Sequence, residues 1–171
     1  MIQKSSRFQW ISFITILLVS ASMQTQALPD DSEQEITISS DTAALDKLEG
    51  KLVYTGNVAL QQGSLSIKAD EITLVKTDSG VREFIATGKP ARYQQQLNLN
   101  EDKTSAYGET LIYNLQSDEL TLLTNAGLEK QGNVFTGDKI VYLINQQRVK
   151  ADSVQEDRVR MVIQPKTDKE P

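Results

Sequence analysis

The feature that most narrows what this chain can fold into is a period-two alternation of apolar and polar residues, which begins at Ile36 and runs almost to the C-terminus. Successive residues of a strand point to opposite faces, so such a run builds a sheet with one apolar and one polar side. Ile36 and Ile38, Leu52 and Tyr54, Val58 and Leu60, Leu65 and Ile67, and Ile72 and Leu74 form the first group. Leu111 to Leu115, Leu120 and Leu122, Val134, Ile140 to Ile144, and Val159 to Ile163 continue it. Polar alternates such as Lys51, Asn57, Ser66, Lys68, Thr73 and Lys139 then face water. Turn-forming clusters punctuate the runs at Gly50, Thr55-Gly56-Asn57, Gln62-Gly63, Asp78-Ser79-Gly80, Gly88-Lys89-Pro90, Asn100 to Lys103, Asn114 to Asp118, Gln131-Gly132-Asn133 and Asn145 to Gln147. Short strands at this spacing predict an all-β sandwich, barrel or solenoid. Residues 28–34 read as a loose acidic start.

A repeat organises the strands. A small residue, an acid and an alternating apolar run occur at Ser40-Asp41, Ala69-Asp70, Gly108-Glu109 and Gly137-Asp138. The acids stand 29, 39 and 29 residues apart, so Asp41 to Glu109 and Asp70 to Asp138 are both offset by 68. This predicts an internal duplication. It also argues that Thr42 to Leu48, the one window able to form a helical turn, is a strand. Repeated β units bury their apolar faces against neighbours, and free sheet edges at the two ends would let further copies or related proteins pair with them. Blunted edges and a monomer are the equal alternative from periodicity alone.

The first 27 residues read as a signal peptide: Lys4 and Arg7 precede the apolar run Trp10 to Val19, and Thr25-Gln26-Ala27 offers small residues for cleavage before Leu28. Cleavage after Ala21 and retention as an anchor are the alternatives. The run is shorter than the roughly 20 residues that span a bilayer. The expected domain is 28–164, followed by a charged, disordered tail at 165–171. Without Lys4 and Arg7 the 18 basic residues fall to 16, against 23 acidic, a net charge of −7. With signs interspersed and no basic stripe, nucleic-acid binding has no support.

The chain contains no histidine and no cysteine. That removes the commonest neutral-pH acid–base group, thiolate chemistry and a cysteine-linked lipid anchor. Asp41, Asp70, Glu109 and Asp138 each stand where a turn enters a strand, so they are expected to accept hydrogen bonds from nearby backbone amides rather than to act as paired catalytic carboxylates. No dense loop of oxygen ligands accompanies them, and no phosphate-binding or dinucleotide fingerprint appears. No enzyme activity, metal or cofactor is expected. The apolar face either fills a core or parts to admit alkyl chains. A twelve-carbon acyl chain would gain at most roughly 9 kcal/mol, at about 0.8 per methylene. Lys68, Lys76, Arg82, Lys89 and Arg92 cluster in mid-sequence and could meet anionic head groups.

The segment Gly50 to Leu74, with Tyr54, Gly56, Asn57-Val58, Gln62-Gly63 and Ile67-Lys68-Ala69-Asp70, resembles the core motif of the LptA/OstA-like family of periplasmic lipopolysaccharide-transport proteins. Phe84 to Gln95, Tyr107 to Asn114 and Phe135 to Tyr142 resemble its later signatures. The resemblance implies a twisted, partly open antiparallel β-jellyroll of about sixteen short strands, located in the periplasm. It implies copies stacked head to tail that join a bitopic inner-membrane transport component to the N-terminal periplasmic domain of an outer-membrane translocon. Lipopolysaccharide would pass with its acyl chains inside. Ile36 and Ile38 match positions near the N-terminal opening of such a groove. Tyr54, Val58, Ile67, Ile72, Leu74, Phe84 and Tyr93 are placed inward on alternation, as lipid-binding candidates. Arg82 and Lys89 are candidates for phosphate or partner contact. The same β unit occurs in the membrane-bound partners, but the short leader and the lack of a following barrel favour the free bridging component. A β scaffold that binds no lipid, and a cell-envelope hydrolase, are the competing readings.

Overall fold

In the computed structural model, residues 31–97, 102–153 and 158–164 are described. The expected signal peptide at 1–27 and tail at 165–171 lie outside them. A 3₁₀ turn, Asp31–Glu33, leads into ten strands: β1 (Ile36–Ser39), β2 (Thr42–Asp46), β3 (Lys51–Gln62), β4 (Leu65–Thr77), β5 (Gly80–Gln95), β6 (Thr104–Asn114), β7 (Glu119–Lys130), β8 (Asn133–Leu143), β9 (Arg148–Asp152) and β10 (Arg160–Val162). All pairings are antiparallel, in the order β1-β3-β4-β5-β6-β7-β8-β10, with β2 also on β3 and β9 also on β8. The sheet does not close. Thr42–Asp46 is a strand, as the repeat argued.

Ten strands replace the sixteen expected because the six long strands, β3 to β8, each run on through a bend instead of ending there, and two of the predicted turns are such bends. Thr55-Gly56-Asn57 and Gly88-Lys89-Pro90 lie inside β3 and β5, where the register shifts between Thr55 and Val58 and between Thr87 and Ala91. Matching shifts fall between Lys68 and Glu71, Tyr107 and Thr110, and Leu123 and Ala126. A bulge inserts an unpaired residue and bends its strand. Here the bulges line up across six long strands and fold one sheet into two layers. β2, β9 and residues 51–55, 71–77, 80–87, 110–114, 119–123 and 139–143 make the first layer. β1, β10 and residues 58–62, 65–69, 91–95, 104–107, 126–130 and 133–136 make the second.

Ring positions demonstrate the folding. Phe84 and Tyr93 are nine residues apart on β5, yet each ring centroid lies 6.1 Å from that of Tyr113. An extended strand would separate the two by about 30 Å. Between the layers one apolar cluster is buried to within a few per cent, including Val58, Leu60, Ile67, Ile72, Phe84, Tyr93, Leu111, Leu122, Leu128, Ile140 and Tyr142. Burial of each large member stabilises the fold by about 1.5–3 kcal/mol.

The duplication is visible in the bends. Gly56 and Asn57 both have positive φ, 85° and 47°, and Thr124 and Asn125 repeat this with 60° and 52°. Asn57 donates from Nδ2 to Asp41 Oδ2 at 3.0 Å, and Asn125 donates to Glu109 Oε1 at 2.7 Å. Asp138 Oδ2 accepts from Ser153 Oγ at 3.1 Å. Asp41 and Glu109 thus each hold the asparagine of a bend through its side-chain amide, where backbone amides were the expected donors, and Asp138 accepts from a side-chain hydroxyl.

The acidic start is not loose where it is described. Asp31 accepts at Oδ1 from the Ser64 backbone amide (2.6 Å), and at Oδ2 from Ser64 Oγ (2.6 Å) and Gln95 Nε2 (2.7 Å). Gly63 permits the approach, since its φ is +56° and a Cβ there would collide with the Asp31 carboxylate.

Candidate functional site

The two layers meet over most of their area but part at the β1 end. There Ile36 and Ile38 from the second layer and Leu52, Tyr54, Leu74, Lys76 and Val81 from the first line an opening of about 450 Å³. β1 places its isoleucines by alternation: Ile36 and Ile38 are half-buried while Thr37 and Ser39 are exposed. β3 and β4 supply Leu52, Tyr54 and Leu74 by the same rule on the facing layer. Lys76, at the rim, is the cation of the opening.

Of the candidates for lipid contact, the fold brings Ile36, Ile38, Tyr54 and Leu74 together at this opening. Val58, Ile67, Ile72, Phe84 and Tyr93 lie behind it in the interior, each at most 1% exposed. The interior is thus a filled core in its middle and open at the β1 end, which alternation alone does not distinguish. Arg82 and Lys89 do not join the opening. Arg82 is exposed at the start of β5, and Lys89 is exposed at a bend, where it lines other surface grooves with Pro90. Lys68 and Arg92 also face outward. The basic cluster therefore divides, and only Lys76 adjoins the interior mouth.

Three contributors escaped the candidate set. Leu52 and Val81 belong to the opening; Leu52 carried the alternation signal, while Val81 is turned inward by a register shift between Val75 and Lys76 that has no sequence mark. Asp31 is the third, since nothing local shows that it reaches residues 33 and 64 positions away.

Polar groups inside the layers are few and engaged. Tyr93 donates its hydroxyl to Gln95 Oε1, and Gln95 donates to Asp31, which links the core to the N-terminal turn. Burial pushes the Tyr93 phenol well above its ordinary range, and the nearby Tyr113 and Tyr142 add to the effect. At the other end of the interior Lys130 donates to the Tyr142 hydroxyl. Asp41, Glu109 and Asp138 are held by separate partners at separate bends, so no two of these carboxylates converge as a catalytic pair would. Among the described residues no group of three or more acids could hold a metal ion.

At both ends of the sheet the outermost strands have one unpaired edge among the described residues. β1 and β2 bond only to β3, and β9 and β10 only to β8. Val159, Met161, Val162 and Ile163 are exposed beside the second of these edges. A folded sheet, unclosed at both ends among the described residues and with an apolar interior that opens at the β1 end, defines a class of β proteins that further strands can extend. The family model described as LptA/(LptD N-terminal domain) LPS transport protein matches residues 37–148, and the chain belongs to that family.

Relatives agree. The lipopolysaccharide export system protein LptH of Pseudomonas aeruginosa is 38% identical over 148 residues, spanning 82% of this chain and 85% of that protein. Escherichia coli K12 LptA, of the same description, is 32% identical over 150 residues, 86% of this chain and 80% of its own. A crystal structure described as LptH, the LptA homologous periplasmic component of the conserved lipopolysaccharide transport device from Pseudomonas aeruginosa, matches with a TM-score of 0.76 at 36% identity. It covers 80% of this chain and all of that one.

Proposed function

We propose that this chain is a periplasmic carrier that binds the acyl part of lipopolysaccharide between its two layers and hands it on, without catalysis. The observation that carries the reading is the coincidence of an apolar opening, lined by Ile36, Ile38, Tyr54 and Leu74, with the unpaired edges of β1 and β2. A second copy whose β9 and β10 paired with those edges would continue the apolar interior across the joint. Stacked head to tail, such copies would link a bitopic inner-membrane component to the N-terminal periplasmic domain of an outer-membrane translocon. In this reading residues 1–27 direct export and are removed, residues 28–164 form the jellyroll-like working domain, and 165–171 is a tail. Lipid passage requires the buried members, Val58, Ile67, Ile72, Phe84 and Tyr93, to yield ahead of the acyl chains. Arg82 and Lys89 stand on the outside, where a partner or a phosphate could meet them.

The filled middle of the core favours one rival, a β scaffold that joins envelope proteins without touching lipid. In-cell photocrosslinking separates the two. With the probe at Ile36 or Leu74, and at Thr73 as an outward control, the carrier reading expects lipopolysaccharide adducts at the first two positions and none at Thr73. Protein adducts alone at Ile36 and Leu74 would establish the scaffold instead.

A further inference from the structure

The outward faces of the two layers differ in kind. In the first layer the cross-strand row Val53, Thr73, Ile85, Ile112, Thr121 and Val141 is β-branched throughout, as a plain half-buried sheet surface is. In the second layer the corresponding row places Lys68 directly opposite Arg92, Arg92 opposite Tyr107, and Tyr107 opposite Gly127. Two cations facing each other across a strand pair are destabilising. This pair sits in a chain of net charge −5 and makes no ion pair or side-chain hydrogen bond with any described residue. An arrangement that costs stability and that no ion pair with a described residue offsets fits an anion supplied from outside.

Tyr107 supplies the second half of the site. A Cβ at Gly127 would collide with Cζ and Cε1 of the Tyr107 ring, so the glycine is what lets the phenol lie down on the sheet. The residue stays 37% exposed. Two adjoining grooves, of about 330 and 460 Å³, share Lys68 and Arg92. The first adds Tyr107, Ser105 and Glu129; the second adds Lys89 and Asp70. A flat aromatic face beside a hydroxyl and a carboxylate suits a pyranose, whose C–H face can lie on the ring while its hydroxyls find polar partners. A phosphate monoester, of charge about −1.5 to −2, matches two neighbouring cations better than a single carboxylate does.

We propose that the outer face of the second layer is a binding site for a phosphorylated sugar, with the phosphate between Lys68 and Arg92 and the sugar ring on Tyr107. It is separate from the interior opening, and it stands or falls independently of lipid carriage. The test is amide-resolved NMR titration of the intact chain with glucosamine 1-phosphate, with glucosamine and inorganic phosphate titrated separately. Saturable shifts are expected at residues 66–68, 92–94 and 105–107. The K68Q/R92Q double variant should weaken binding by about tenfold or more through loss of the charge-assisted contacts, and should keep its melting temperature because it removes a like-charge pair. Tyr107→Ala should weaken the sugar phosphate and leave inorganic phosphate unchanged. The assignment is overturned if no saturable shift appears, if glucosamine binds as tightly as its phosphate, or if inorganic phosphate binds as tightly as the sugar phosphate.

Discussion

Lys130 on β7 and Tyr142 on β8 meet across the fold of the sheet: Nζ donates to the phenol oxygen at 3.1 Å and lies 5.5 Å from the ring centroid. They are twelve residues apart, one in each layer, so the contact bridges the layers far from the opening. Tyr142 is fully buried. Tyr142→Phe is therefore expected to destabilise the fold by about 1 kcal/mol, the usual worth of such a hydrogen bond, read as a lower urea midpoint at unchanged slope.

Alkaline pH should weaken the protein through Tyr93. Its folded-state pKa is raised well above 10.0 by burial, so the unfolded chain releases this proton first. The stabilisation is fully present below the unfolded pKa and is lost as pH rises from there toward the folded value. Urea midpoints at pH 8 and pH 11 should differ more for the native chain than for Tyr93→Phe; equal differences would remove Tyr93 as the source.

The N-terminal turn is a structural anchor. Asp31→Ala strips the acceptor from three short hydrogen bonds at Ser64 and Gln95 and is expected to cost about 2 kcal/mol, whereas the exposed Glu33→Ala should stay within about 0.5. Thermal melts of the two variants make the comparison.

At the opening, Ile36→Asp puts a charge on a half-buried apolar surface. Capture of purified lipopolysaccharide on immobilised protein should fall about tenfold, as loss of one apolar side chain contact would produce, while the circular dichroism of the sheet is retained. Undiminished capture would move the lipid away from the β1 end.

Edge pairing should depend on the exposed apolar residues beside β10. Ile163→Asp, at a position 65% exposed, is expected to leave the fold intact and shift the sedimentation of concentrated protein toward monomer. No shift would detach this edge from self-association.

How much of this was legible in the sequence differs by feature, for physical reasons. Alternation announces which face of each strand is apolar, and it placed Ile36, Ile38, Tyr54 and Leu74 on the side that forms the opening. The 68-residue offset is read from the acids alone; that Asn57 and Asn125 obey it too, at equivalent bends where their amides bind Asp41 and Glu109, shows only in the structure. A glycine with an asparagine reads equally as a hairpin or as a bulge, because both need positive φ, so Thr55-Gly56-Asn57 looked like a strand end and is a bend within one. Alternation carries no information on what covers a face. It could not separate the sealed surroundings of Phe84 and Tyr93 from the open surroundings of Ile36. Nor could sequence distance bring Asp31 to Gln95, or show that Lys68 and Lys76 stand on opposite sides of β4.

The aligned bulges also determine how this molecule can gape. Six strands run unbroken from one layer into the other, so the layers cannot slide past each other or separate as independent sheets without tearing backbone hydrogen bonds. They are bound like the two covers of a book, and the line of bulges is the spine. Any widening is a rotation about that spine, greatest at the hairpin ends and smallest at Asn57 and Asn125, and copies joined edge to edge would share one hinge axis along their whole length.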